Sequence, residues 1–272
     1  MSKSLVLCAD DYALHGGVSE GILSLIEAGR LSATSVMTLS PRWASDAPAL
    51  AAWRGRVDVG LHVDWTSAFA QAAGHGGGLG AVMRQAVWPG HAVAAARACI
   101  EQQLQAFEDH WGAPPDHVDG HQHVQQFAGI REALVAALAA RYPRAQRPYL
   151  RVSRPVVGQG GLKGRVMAAM GAQRLQRLAQ AQGMACSPWL SGIDDFRGDV
   201  ATYAGRMATW LAQAPEGTLL MCHPASRVAD DDEIAAARVR EWTYLSSPAF
   251  AEALDQAGVR LVTGAALYAR PN

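Results

Sequence analysis

Eight short runs of β-branched and aliphatic residues alternate along this chain with segments whose apolar residues recur every three or four positions. The runs are 4–9, 33–39, 57–62, 116–119, 149–152, 184–190, 218–222 and 259–262. Between them Val18, Ile22, Leu25 and Ile26 line one helical face, with Gly29 as its terminator. Ile100, Leu104, Phe107 and Trp111 form a second stripe, ended by Gly112 and Pro114-Pro115. Ile130, Leu134 and Leu138 make a third, and Tyr203, Met207, Trp210 and Leu211 a fourth. Ser247-Pro248 predicts an N-cap and a first-turn proline for the last helix. Strand and helix in strict alternation fold as a parallel sheet with crossover helices. An open doubly wound sheet would place a glycine-rich phosphate turn after its first strand. The turn here reads Ala9-Asp10-Asp11-Tyr12-Ala13-Leu14-His15-Gly16-Gly17, and its two carboxylates repel phosphate. The expectation is therefore an α/β fold: one TIM-like (β/α) barrel domain over 1–272, irregular or with seven to eight strands.

The 272 residues are half hydrophobic and 18% charged, enough to bury one large core. Net charge is zero, so the chain lacks the basic field that nucleic acid or an anionic membrane requires. A small, uncharged or weakly charged substrate suits that balance. Cys8, Cys99, Cys186 and Cys222 show no CxxC spacing, which argues for free thiols rather than a disulfide framework or a cysteine zinc site. The apolar run after Met1-Ser2-Lys3-Ser4 is too short for a signal peptide, and no run approaches the ~20 apolar residues of a membrane span. These features predict a cytoplasmic protein, with a homodimer as the common assembly for such chains.

In a β/α barrel the loops that meet in one mouth follow the carboxyl ends of the strands. Asp10, Asp11, His62, His121 and His223 all stand at such ends. Singly, each has an ordinary explanation: acids open helices, and a lone histidine can end a strand with one hydrogen bond. Their coincidence points to metal-assisted hydrolysis. The segment His117-Val118-Asp119-Gly120-His121-Gln122-His123 is the densest, and strict alternation would put His117, Asp119, His121 and His123 on one side of an extended chain. His123 reads either as a further ligand or as a packed neighbour of one. Arg151 and Arg154 read as substrate contacts or as solvated surface. Trp65, Trp189 and Trp242 offer faces for sugar stacking or for the core. The run Asp230-Asp231-Asp232-Glu233 reads as the acidic start of a helix. Two glycine-rich stretches, 67–91 and 153–165, predict mobile loops on the active face, the first a substrate-covering lid.

Ala9-Asp10-Asp11-Tyr12, Gly60-Leu61-His62, the 117–123 segment and Met221-Cys222-His223-Pro224 resemble the motifs of the YdjC-like carbohydrate deacetylase family. That family includes chitooligosaccharide deacetylases and hopanoid-biosynthesis-associated relatives. The motifs keep the family's order and similar separations over nearly the whole chain. The resemblance implies a β/α barrel and one divalent metal held by Asp11, His62 and His121. It also implies Asp10 as general base, His223 as acid, and hydrolysis of an N-acetyl group from an amino sugar with release of acetate. Mg or Zn is the first expectation for the metal, with Mn, Co and Ni compatible. The chain departs from the pattern at Ala13, His15, Gly120, Gln125 and Ala128, none of them an implied ligand. Two other readings stand beside this one: a metal-dependent phosphoesterase on a similar barrel, and a catalytically silent sugar-binding protein.

Overall fold

The computed structural model describes residues 2–87 and 92–268. All the predicted runs contribute strands: β1 (Lys3–Tyr12), β2 (Ala33–Val36), β3 (Asp58–Val63), β4 (His117–Gly120), β5 (Tyr149–Leu150), β6 (Leu190–Ser191), β7 (Leu219–Cys222) and β8 (Val259–Leu261). Every ladder is parallel, in the order β5-β4-β3-β2-β1-β7-β6. Single bridges, Leu150 to Cys186 and Pro155 to Leu190, join the two ends. The sheet is thus a curled, distorted barrel whose β5–β6 seam lacks a continuous ladder. Residues 184–189 were predicted as strand and run along that seam. Pro188 has no N–H to give a ladder, and β6 shrinks to two residues.

β1 is the spine of the sheet. Its odd residues bond along one edge, and that edge is used twice. Lys3 N donates to Gly258 O beside β8, and further along Ser32 N donates to Leu7 O at the start of β2. The even residues bond the other edge, where Val6 N donates to Thr218 O before β7. Side chains alternate accordingly. Leu5, Leu7 and Ala9 pack in the main core between barrel and helices, whereas Val6 and Cys8 join Ala33, Tyr149, Leu190, Leu219 and Met221 inside the barrel.

The predicted helical stripes are buried in helices Gly16–Glu27, Ala92–Trp111, Ile130–Arg141 and Val200–Gln213. Gly29 and Gly112 adopt positive φ of 66° and 71° just past two of these helices. The final predicted helix is Pro248–Gln256, but Ser247 does not cap it; its hydroxyl donates to Tyr244 O at 2.6 Å. No helix of the described residues is long and apolar enough to cross a membrane.

The 67–91 stretch is more ordered than its glycines suggest. It carries helices Ala68–Ala72 and Leu79–Val87, while 88–91 lie outside the described residues. Ser67 Oγ accepts from Phe69 N and Ala70 N, capping the first of these helices. Buried Asp64 accepts from Thr66 N and Ser67 N, both at 3.0 Å, and the His75 ring lies edge-on to buried Trp65. In 153–165, Pro155 is tied to Leu190 and a helix begins at Gly161.

Candidate metal and catalytic site

Successive residues of a strand point to opposite faces, so Asp10 and Asp11 could not both enter the mouth from regular β1. The pairing with β2 slips by one residue between Ala9 and Tyr12, and Asp11 takes a left-handed φ of 71°. This bulge turns both carboxylates into one space. Among the described non-glycine residues, positive φ occurs at Asp11, Ala13, Gln122, His123 and Phe196. All five lie at this mouth, as backbone strain tends to gather at functional sites.

Donor atoms of Asp11, His62 and His121 lie within 4.8 Å of one another. His62 Nε2 is 3.3 Å and His121 Nδ1 2.9 Å from the same oxygen, Asp11 Oδ1. Ligands bound at ~2.1 Å around one small cation stand roughly 3.0–3.4 Å apart, so the set fits such an ion. The remaining atoms are already held. Arg238 Nη2 donates to Asp11 Oδ2 at 2.8 Å, leaving Oδ1 for a metal. Asp119 Oδ1 lies 2.6 Å from His62 Nδ1, leaving Nε2 as the donor to a metal. Ser35 Oγ donates to Asp119 Oδ2 at 2.5 Å, and His117 Nε2 stands 3.1 Å from that hydroxyl. The His117 ring stacks on Tyr149 and fills the space over Gly60, where a Cβ would meet it at 2.4 Å. Burial opposes the charge on Asp11, but Arg238 and the bonds from His121 and His62 hold its carboxyl well below the ordinary range. Burial likewise disfavours imidazolium at His62, yet Asp119 with Asp11 and Asp10 lifts its pKa to about 10.

Asp10 sits on the other side of the bulge. Arg151 grips it with two bonds, Nη1 to Oδ1 at 2.6 Å and Nη2 to Oδ2 at 2.9 Å, while Nη1 also reaches Asp119 Oδ2 at 3.1 Å. Arg151 is 0% exposed, so of the readings open at the sequence level neither substrate contact nor solvation describes it. His223 Nε2 is 3.8 Å from Asp10 Oδ2. Burial, with Arg238 and Arg151 adding to it against the pull of Asp10 and Asp11, drops the His223 pKa to about 4. In the resting protein this ring is therefore neutral at pH 7. Phe196 lies edge-on to it at 5.3 Å between centroids.

Glu241 anchors His223 from behind, its Oε2 accepting from His223 N at 2.7 Å and from the Tyr203 hydroxyl at 3.2 Å. Burial first, and Asp194 second, raise the Glu241 pKa to about 7, with the His223 N–H opposing. A carboxyl raised in this way contributes full stability below its unfolded pKa of ~4.3 and loses it as pH rises through about 7. Glu241→Gln keeps an acceptor for both donors and never ionises. It should therefore gain stability over the wild type above pH 7, on the order of 1–3 kcal/mol, in paired urea titrations at pH 5 and 8.5. An equal or greater loss at the higher pH would contradict this.

The acidic run at 230–233 does more than precede a helix. Asp232 Oδ2 accepts from Arg238 Nε at 2.6 Å and lies 3.3 Å from His15 Nε2. Buried Arg238 so links Asp232 to Asp11, and His15 joins the same chain. The 117–123 segment also differs from simple alternation. β4 stops at Gly120, and Gln122 and His123 turn left-handed with φ of 53° and 63°. Only His117 and Asp119 share the strand's inward face. His121 swings onto Asp11, whereas His123 Nδ1 lies 3.0 Å from Ser153 Oγ and is not grouped with the metal-donor set. Trp65 is buried, Trp242 Nε1 donates to Ser24 Oγ at 2.9 Å, and Arg154 lies over the Trp189 ring.

Sequence reasoning missed Ser35, Arg238, Glu241 and Phe196. Arg151 alone carried a signal, because it stands near the carboxyl end of a predicted strand like the other site residues.

Residues 4–256 match the family model described as YdjC-like protein. The chain is 28% identical to human carbohydrate deacetylase over 94% of its own length and 88% of that protein's. It is 27% identical to the chitooligosaccharide deacetylase of Yersinia pestis (strain Pestoides F), covering 96% of this chain and 98% of the relative. Among solved structures, one from Enterococcus faecalis V583, named for cellobiose-phosphate cleavage, superposes with a TM-score of 0.73 at 18% identity over 99% of this chain and all of the other. A family 4 acetyl xylan esterase from Clostridium thermocellum, in complex with cobalt, gives 0.51 at 10% identity over 98% of this chain and 90% of its own. At such identities the two structures speak for the distorted barrel alone. The family match spans nearly the whole chain and every motif named above, so this chain belongs to the YdjC-like family.

Proposed function

We propose that the protein is a metal-dependent carbohydrate deacetylase that hydrolyses the N-acetyl group of an amino sugar and releases acetate. The carrying observation is the convergence of Asp11, His62 and His121 on one point, with Asp10 locked by Arg151 on one side and His223 facing Asp10. The relatives' names supply the sugar and the acyl group. One divalent cation would be held by Asp11, His62 and His121; two imidazoles and a carboxylate suit Zn, Mg, Mn, Co or Ni. When bound, such a cation lowers the pKa of water and polarises the acetyl carbonyl.

Asp10 is the general base. Its two oxygens are fixed by Arg151, and it takes the proton from the attacking water as the new C–O bond forms. The C–N bond then breaks, and the departing nitrogen needs a proton. His223, neutral at rest and 3.8 Å from Asp10, passes on the proton Asp10 collected. The half-buried Phe196 ring against His223 limits water around that transfer.

Metal analysis together with acetate release from diacetylchitobiose tests the reading, with sugar phosphates run in parallel. Phosphate release without acetate would favour a phosphoesterase. Sugar binding without turnover under saturating Zn, Mg, Mn or Co would favour a silent binding protein. His62→Ala removes a ligand and the partner of Asp119 Oδ1, so metal content and turnover should fall together. Full metal occupancy in that variant would contradict the ligand set.

A further inference from the structure

We propose that His123 is a substrate-contacting residue which offers a neutral Nε2–H donor to an oxygen of the sugar; this deepens the deacetylase reading and rests on it. The argument is one of hydrogen accounting. Arg151 O can only accept, so the Gln125 atom 3.1 Å from it is the amide nitrogen. The same nitrogen donates its second hydrogen to Ser153 Oγ at 3.2 Å. Ser153 is fully buried, and of its hydroxyl's two recorded partners Gln125 is a donor. The Ser153 hydrogen therefore goes to the other, His123 Nδ1, at 3.0 Å. Nδ1 is thereby an acceptor, and the ring hydrogen must reside on Nε2.

That edge makes no hydrogen bond among the described residues, and His123 is only partly buried. It lies two residues past His121, at the strand exit that supplies the candidate metal site. The chain pays backbone strain at both Gln122 and His123 to hold the ring there. Two departures from the family pattern serve this arrangement together. A Cβ at position 120 would lie 2.8 Å from Gln125 Oε1 and 2.9 Å from Gln125 N, so Gly120 makes the room in which Gln125 sits. Gln125 then orients Ser153, and Ser153 orients His123. A neutral donor of fixed direction beside cationic Arg151 suits a hydroxyl or carbonyl oxygen of an uncharged sugar.

The test uses the Zn-loaded Asp10→Asn variant, labelled with nitrogen-15 at histidine so that bound sugar is not consumed. Its His123 signals, identified by their loss in a further His123→Gln change, should show a protonated Nε2 and a bare Nδ1. Adding diacetylchitobiose should shift the Nε2 resonance. A protonated Nδ1, or an Nε2 signal unmoved at saturating sugar, overturns the proposal. In otherwise wild-type enzyme, His123→Phe should lower kcat/KM about tenfold at unchanged metal content, and His123→Gln should recover most of that loss. Equal kcat/KM in wild type and His123→Phe also overturns it. Absence of acetate release by the wild type would instead sink the deacetylase reading, while the sugar-induced shift reads the His123 contact independently.

Discussion

Asp10→Asn should lower turnover by about 10²- to 10⁴-fold while the protein retains its full complement of metal. Asparagine copies the shape of the carboxylate and keeps one acceptor for Arg151, yet it cannot take a proton from water. The metal-donor set is untouched, because Asp10 lies across the bulge from Asp11 and bonds Arg151 rather than the histidines that converge on Asp11. Acetate release and elemental analysis on one preparation check both halves. If Asp10→Asn loses as much metal as His62→Ala, the division between base and ligand is wrong.

Arg151→Met should be the most damaging single change to stability, costing about 3–5 kcal/mol. The guanidinium is fully buried and bridges Asp10 and Asp119, so an apolar side chain of similar length strands the buried Asp10 carboxylate and leaves Asp119 to His62 and Ser35. The pH dependence has a definite sign. In the wild type, burial opposes the charge on Asp119, but Arg151 and His62 hold its pKa well below the ordinary value. That stabilisation is present above the unfolded pKa of ~3.9 and is lost as pH falls through the folded value. Without the arginine that pull weakens, the folded pKa moves up towards the unfolded one, and the stabilisation shrinks. Urea midpoints of wild type and variant should therefore converge on acidification from pH 6 to 2. A gap that is constant across that range would mean the damage is packing alone.

Much of the barrel was legible because alternation is a strong signal. Period-2 and period-3.6 patterns located every strand and the long helices, and strand ends marked Asp10, Asp11, His62, His121 and His223. What escaped prediction depended on tertiary contact or local backbone. Pro188 broke a run that composition alone read as strand. The left-handed pair Gln122 and His123 ended an alternation that would have aligned four side chains. Arg238 and Glu241 lie on the helix Ala235–Leu245, far in sequence from the residues they hold, and look there like ordinary surface charges. Ser35 is one hydroxyl in a strand, and only the curl of the sheet across β2, β3 and β4 brings it to Asp119. The glycines of 67–91 suggested an open loop, whereas Asp64 and Ser67 impose helix starts that glycine content does not reveal.

The twist at Asp11 narrows the routes by which this centre could evolve. With φ at 71°, position 11 suits glycine, asparagine, aspartate or histidine, and a β-branched side chain there would be strained. Of these, aspartate is the one that brings a negatively charged donor to a cation. Descendants of this chain could exchange one histidine ligand for another residue by point mutation. Loss of the extra residue in β1 would be a graver change than any ligand exchange, because it would turn Asp10 and its neighbour to opposite sides of the sheet.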